Sequence, residues 1–291
     1  MLEIISDVLV DVLKDTVKLI PFLFLTYLAM EYVEHKAGEK AKERISKSGN
    51  YGPAVGAILG AFPQCGFSAA ASNLYAGRII TVGTLMAVYL STSDEMLPIF
   101  LSEQVPVGSI LKILGLKVLI GLVAGFLLDF AVKILVKTRN HNPAPEVRSI
   151  CENDHCHCEE EGIFKSALHH TLQITLFIFL VSLVLDFVIE FVGNEALANF
   201  ITNKPIIGEF VAGIIGLIPN CAASVVITQL YLEGALSFGA MMSGLLVGAG
   251  IGIAVLLRIN KEMKKNIEII GILYGFGVFF GILIELIGIS I

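Results

Sequence analysis

The sequence predicts an all-α, polytopic membrane protein. It is built from two inverted repeats, each with a proline-broken re-entrant or discontinuous helix pair. Three observations point there. Hydrophobic residues make up 55% of the chain and charged residues 16%, with mean hydropathy +0.81; a soluble domain carries about 25% charged residues. Several apolar runs exceed the roughly 20 residues needed to cross a bilayer as a helix. The chain also repeats itself. Gly60-Ala-Phe-Pro-Gln-Cys-Gly-Phe-Ser68, followed by Leu74-Tyr75, returns as Gly216-Leu-Ile-Pro-Asn-Cys-Ala-Ala-Ser224, followed by Leu230-Tyr231. The offset of 156 residues needs no gap, and it also pairs Glu34 with Glu190, Gly52 with Gly208, Gly115 with Gly271, Gly125 with Gly281 and Asp129 with Glu285. Such internal repetition in an apolar chain is the mark of a duplicated membrane fold.

The apolar segments run over about 8–33, 52–76, 79–101, 110–136, 166–192, 208–233, 235–257 and 266–289. The first four form transmembrane repeat one, residues 1–136, and the last four form repeat two, residues 166–291. A polar Cys/His-rich linker, 137–165, joins them. The start, Met1 to Asp7, lacks a basic n-region, so no cleavable signal is expected. With no Trp in the chain, Tyr and Phe supply the interfacial belt. Five cysteines, an odd number, do not read as a disulfide framework.

Lys/Arg distribution sets the topology. Lys36, Lys40, Lys42, Arg44 and Lys47 place 36–47 in the cytoplasm; Lys133, Lys137 and Arg139 do the same for the linker, and Arg258, Lys261, Lys264 and Lys265 for a third loop. The first residues and the segments 102–109 and 193–207 are poor in Lys/Arg and face outside. The loop after the first segment is then inside and its equivalent after the fifth outside. The repeats are therefore inverted, and each crosses the membrane an odd number of times. Four plain spans fail this test. It is met if 52–76 and 208–233 enter, break at Pro-Gln-Cys or Pro-Asn-Cys, and return. Gly52–Phe62 as helix measures about 16 Å, half a hydrocarbon core. Other odd numbers follow, such as five per repeat, if both hairpin arms and a broken third segment are counted separately.

Proline ends a helix because it lacks an N–H and clashes with the preceding turn. Pro63 and Pro219 are the expected breaks, with the second arms starting near Gly66 and Ala222. Each gap then faces free N–H groups on one side and free carbonyls on the other. Gln64, Cys65, Ser68, Asn220, Cys221 and Ser224 fall there and are the candidate substrate-binding residues. Cys65 and Cys221 also suit small buried apolar positions, Ser68 and Ser224 suit bonding to a carbonyl one turn back, and Ala69–Ser72 suits close helix packing. Asp94 and Glu95 have no acidic counterpart in repeat two. Adjacent acids at membrane depth are costly and usually functional, so they join the candidates as ligands or proton carriers; the other reading places them beyond a helix end near Tyr89, in a wet vestibule. Glu34, Glu190, Asp129 and Glu285 fall near segment ends and read as solvated interfacial groups. Asp186, opposite Met30, ranks below Asp94.

The linker concentrates Cys151, His155, Cys156, His157 and Cys158 among five carboxylates. Cytosolic thiols stay reduced. This composition suits zinc, copper(I) or trivalent arsenic, although Cys-x4-Cys-x-Cys is no standard zinc spacing. Its expected role is metal capture or sensing at the pore mouth; a disordered polar linker is the plainer alternative.

Together, Phe62–Ser68, Ser91-Thr-Ser-Asp-Glu95, Ile218–Cys221 and the Cys/His-rich loop resemble the ten-span heavy-metal exporter family, labelled in some cases an arsenic efflux permease and in others a manganese transporter. The resemblance covers nearly the whole chain. It implies a multi-pass cell-membrane protein that exports a metal or metalloid ion, and a non-enzyme that requires no cofactor. The residues themselves suggest alternating access around a midplane site between the two Pro-x-Cys breaks. The partners expected are the ion and membrane lipid, with no nucleic acid; no nucleotide-binding motif or ATPase subunit is evident, and an oligomer is compatible with the sequence. Thiols favour arsenite, zinc or copper(I), whereas Asp94, Glu95, Gln64 and Asn220 favour manganese. A second reading, a membrane thiol-disulfide electron carrier using Cys65 and Cys221, leaves Gln64, Asn220, Asp94 and the linker without a use.

Overall fold

A computed structural model describes residues 9–28 (apart from 11, 15, 22 and 26), 51–62, 66–93, 96–137, 163–192 and 206–288. Among them every regular element is a helix. After a helical stretch between residues 9 and 28 come α1 (Gly52–Gly60), α2 (Gly66–Ala76), α3 (Val82–Ser91), α4 (Met96–Ser102) and α5 (Val107–Lys137). The second half holds α6 (Ile163–Val192), α7 (Ile207–Gly216), α8 (Cys221–Leu232), α9 (Phe238–Val247), α10 (Ile251–Ile259) and α11 (Met263–Ile287). The 156-residue offset carries α3 onto α9 at both ends, and α5 onto the start of α11.

Local chemistry explains the boundaries. Pro53 opens α1, where its fixed φ suits the first turn. Thr81 caps α3 by accepting the Thr84 N–H at 3.0 Å, and Ser237 caps α9 by accepting the Ala240 N–H at 3.2 Å. A carboxylate from the long helix of the same half completes each cap. Gly83 N–H donates to Asp129 Oδ1 at 2.9 Å and Gly239 N–H to Glu285 Oε2 at 3.0 Å. Thr81 Oγ1 also donates to Asp129 Oδ2 at 2.7 Å. Asp129 and Glu285, which the sequence suggests are merely solvated, are anions on the positive ends of α3 and α9. The turns after α2 and α8 match as well: Ile79 N–H reaches Leu74 O and Ala235 N–H reaches Leu230 O, both at 2.8 Å, with positive φ at Arg78 and Gly234.

The segments 79–101 and 235–257, continuous in sequence hydropathy, are each split. In the first, the Ser91 and Thr92 hydroxyls turn back onto the Ala87 and Val88 carbonyls, and Thr92 leaves the helix with ψ 130°. In the second, Gly248-Ala249-Gly250 makes the break, with Gly250 at φ +53° and ψ −140°, a conformation suited to glycine. The sequence expectation of a helix end near Tyr89 is met two residues later, at Ser91.

The split segments occupy the centre. Every residue of α9 is buried, and in α3 only Val82 is not. The apolar stretch within Phe238–Ile259 is 89% buried, against 22% for that of α5 and 33% for that of α11. These long helices present Phe130, Leu135, Phe279 and Leu286 outward, as a lipid-facing layer does. Among the described residues, four stretches are long and apolar enough to cross a membrane: Val107–Leu135, Ala167–Val184, Phe238–Ile259 and Met263–Ile287.

Glycine lets the backbones meet. A Cβ on Gly83 would lie 2.3 Å from Gly125 O, and one on Gly239 2.7 Å from Gly281 O. α1 lies along α3, with Gly52 against Thr84 and Gly60 against Ser91. The chain therefore starts α1 level with the start of α3, runs to the level of its end, and returns through α2 to Thr81. Across the halves, α2 packs on α10 and α8 on α4.

Close approach sets the first test. A Cβ at position 216 would sit 2.3 Å from the Gly244 carbonyl oxygen, whereas one at position 271 meets nothing within 4 Å. Gly216→Ala should cost about 1–3 kcal/mol through overpacking. Gly271→Ala should be neutral or add up to about 1 kcal/mol through helix propensity. Thermal unfolding of the two variants in detergent checks the contrast; equal midpoints would contradict the packing described.

Candidate transport site

The repeat-two break is described in full. α7 ends at Gly216, and the Leu217 and Ile218 N–H groups fold back onto the last turn. Asn220 is extended beyond Pro219; its N–H reaches Ile218 O at 2.7 Å and its side-chain oxygen accepts the Ala222 N–H at 3.2 Å, capping α8. Cys221, half-buried, is the first residue of α8. Ser224 donates to Cys221 O at 2.7 Å, the local bond that the sequence allows. In repeat one, α1 ends at Gly60 and α2 starts at the expected Gly66. Pro63, Gln64 and Cys65 lie outside the described residues, as do Asp94, Glu95, Glu34 and the linker group Cys151, His155, Cys156, His157 and Cys158. Glu190 and Asp186 are described in backbone only. Among the described residues, no cluster of three or more His, Cys, Asp or Glu side chains is placed to hold a metal.

Ser68 is fully buried at the contact between the halves, where a Cβ on Gly252 would lie 2.8 Å from Ser68 Cβ. One turn on, Ser72 Oγ lies 2.7 Å from both Ser68 O and Gly252 O. Tyr89 Oη shares a hydrogen bond with Ser72 Oγ at 2.6 Å and donates to Gly252 O at 3.1 Å. A polar knot therefore joins α2 and α3 of the first half to the start of α10 in the second. The equivalent Thr228 makes only the local bond, to Ser224 O at 2.7 Å. The two breaks of repeat one also touch, since Ser93 Oγ donates to Ala61 O at 2.8 Å. The carbonyl of Ala61, at the C-cap of α1, thus has a donor of its own, where the sequence suggests open carbonyls facing the gap.

Five buried residues with polar groups escaped the sequence reading. Lys117, 1% exposed in the middle of α5, donates from Nζ to Thr92 O and, at 2.9 Å, to Leu245 O. Glu209, also 1% exposed, has neither carboxylate oxygen hydrogen-bonded among the described residues. Tyr27 Oη donates to Asn73 Oδ1 at 3.2 Å, while its ring stacks on His170 at 5.4 Å. The available signal was asymmetry. At the 156-residue offset Lys117 faces Leu273 and Glu209 faces Pro53, so a search weighted toward symmetric pairs passes them by.

The hydrogen bonds separate two substitutions. Tyr89→Phe removes a buried hydroxyl that joins the halves and should cost about 1–2 kcal/mol. Ser224→Ala removes a bond within one helical turn and should stay within about 0.5 kcal/mol of the parent. Thermal midpoints in detergent decide this; a larger loss for Ser224→Ala would contradict it.

No curated protein and no solved structure matches the chain. A family model described as "Putative, 10TM heavy-metal exporter" matches it over residues 4–191 and 159–290, which together span nearly its whole length. With apolar helices throughout and a family match of this extent, the chain is a multi-pass membrane protein that belongs to that heavy-metal exporter family.

Proposed function

We propose that this protein is a secondary transporter that exports a heavy-metal or metalloid ion by alternating access around a midplane site. The site lies between the Pro63-Gln64-Cys65 and Pro219-Asn220-Cys221 breaks, in two halves of opposite orientation. One observation carries the reading: each half breaks its central segment beside the end of its first short helix, in a chain whose family is described as exporting heavy metals. Transporters place substrate at discontinuous helices because helix ends supply oriented dipoles without adding net charge.

The path of the first short pair supports re-entrance. α1 starts beside Thr84, reaches Ser91, and α2 comes back to Thr81. Arg78, just beyond α2, pairs with Glu262 at 3.7 Å, beside the loop whose Arg258 and Lys261 mark it as cytoplasmic. In the last turn of the second hairpin, Tyr231 meets Phe100 with ring centroids 6.5 Å apart, next to the loop 102–109 read as external. The two hairpins would then open to opposite faces. Counting both arms, the split helix as one, and the two long helices gives five elements per half, in line with the ten of the family description.

Within this reading Cys65 and Cys221 bind a soft or borderline ion, with Gln64, Asn220, Ser68 and Ser224 completing the shell. Asp94 or Glu95 supplies an oxygen ligand or carries the coupling proton. Cys151, His155, Cys156, His157 and Cys158 gather the metal on the cytoplasmic side. Proton exchange or the membrane potential drives transport, the latter worth about 2.3 kcal/mol per charge per 100 mV.

The test is metal accumulation in an export-deficient host challenged with arsenite, zinc, copper and manganese. The parent chain should lower one of them. Cys65→Ser with Cys221→Ser should reduce that efflux by about tenfold or more, the scale of losing ligands. Retained manganese efflux in the double variant would move the site to Asp94 and Glu95. If no ion moves and a Cys65–Cys221 disulfide can be trapped, the thiol-disulfide carrier replaces export.

A further inference from the structure

A helix that stops leaves its last carbonyls without intrahelical donors, and its C-terminal end carries partial negative charge. Two such ends converge here, one from each half. α3 stops at Ser91, and the C-cap Thr92 turns its N–H back to Val88 and Tyr89. α9 stops at Val247; there Gly248 N–H takes Gly244 O at 2.9 Å and Ala249 N–H takes Val247 O at 2.8 Å. Ala249, which would supply the fourth-residue donor for Leu245 O in a continuing helix, is thus engaged elsewhere. The Lys117 amine binds one end carbonyl from each helix, Thr92 O and Leu245 O. The lysine is 1% exposed and Thr92 2%, which leaves water little access to these carbonyls.

The position is deep. Lys117 lies ten residues into α5, about 15 Å along a helix whose apolar stretch crosses a core of roughly 30 Å. Ionisable groups at such depth are rare and mark functional positions. Nor is it a product of the duplication, since its counterpart, Leu273, is a fully buried apolar residue. One ammonium therefore serves both helix ends.

We propose that the Lys117 ammonium is a tethered resident cation: it fills a carbonyl site at the meeting of the α3 and α9 C-termini that would otherwise take a monovalent cation, and its charge holds the two broken helices in register across the halves. Lys117 is a positioning residue in this account. The site it fills accepts a small primary ammonium ion when the side chain is cut back.

The experiment uses the full chain purified in detergent and reconstituted in vesicles, with Lys117→Ala, Lys117→Gln and Lys117→Arg. The probe is n-propylammonium, which replaces the atoms lost in the alanine variant; tetramethylammonium controls for ionic strength. The parent midpoint should not distinguish the two salts. Lys117→Ala should fall by about 5 °C or more and regain at least half of that loss in n-propylammonium alone. Lys117→Arg, which keeps the charge, should lie close to the parent, and Lys117→Gln, which donates without charge, should stay low. The inference is overturned if Lys117→Gln matches the parent, if Lys117→Ala is as stable as the parent, or if both salts rescue alike. Should Lys117→Ala not fold in either salt, the order of Arg and Gln decides. Vesicle flux of the exported ion should follow the same order. The midpoints do not depend on what the protein transports, so a failure of the export reading appears only in flux.

Discussion

Helices that stop inside an apolar body leave carbonyls that water cannot satisfy, and the rest of this structure is organised around satisfying them. In hydrocarbon each unpartnered backbone group is costly, so irregular chain survives only where protein or a wet cavity covers it. Here Ser93 covers the end of α1 and Lys117 covers the ends of α3 and α9, while Ser72 and Tyr89 bind the carbonyl of Gly252, which lies at the start of α10 and so ties the halves together rather than closing a helix end. All four donors belong to the first half, and Lys117, Ser72 and Tyr89 reach into the second. What keeps the broken helices affordable in lipid is also what fastens the halves together.

Matched positions in the two halves supply the scaffold, and several buried polar groups lie where the halves differ. Contacts that recur in both halves are structural: the capped starts of α3 and α9, the carboxylates on Gly83 and Gly239, and the glycine-lined approach of each central helix to its long partner. Positions where the halves differ carry the polar groups: Lys117 opposite Leu273, Tyr89 opposite Leu245, Glu209 opposite Pro53, and the Asp94-Glu95 pair opposite Gly250-Ile251. In the transport mechanism proposed above, symmetric positions would sustain alternating access, and asymmetric ones would give it a direction and a coupled charge.

Much of the fold was readable in the sequence, because proline and glycine act locally. Pro219 stops α7, α2 begins at the expected Gly66, and the 156-residue register carried the first half's elements onto the second. The split within 235–257 was not placed by hydropathy, since Gly248-Ala249-Gly250 interrupts hydrogen bonding without interrupting apolarity, whereas the polar run Ser91–Glu95 offered a helix end near Tyr89 within 79–101. Asp129 and Glu285 looked interfacial by sequence distance from the segment ends; only the packing of each long helix on a central one brings them to a helix N-terminus. Ser72 read as small-residue packing, and its hydrogen bonds to Tyr89 and to Gly252 O of the second half depend on tertiary contact. Lys117 is one residue in a long apolar run, and nothing local says which carbonyls it meets.

Opposite orientation of the halves is the claim on which transport around a midplane site depends, and side-specific labelling tests it most directly. With the five native cysteines replaced, single cysteines are placed at the exposed positions Glu103 and Lys261, in the equivalent loops before α5 and α11. A membrane-impermeant maleimide should label Glu103→Cys in intact cells, and Lys261→Cys only after permeabilisation. Labelling of both from the same side would contradict inversion, and with it the placement of the two breaks around a single midplane site.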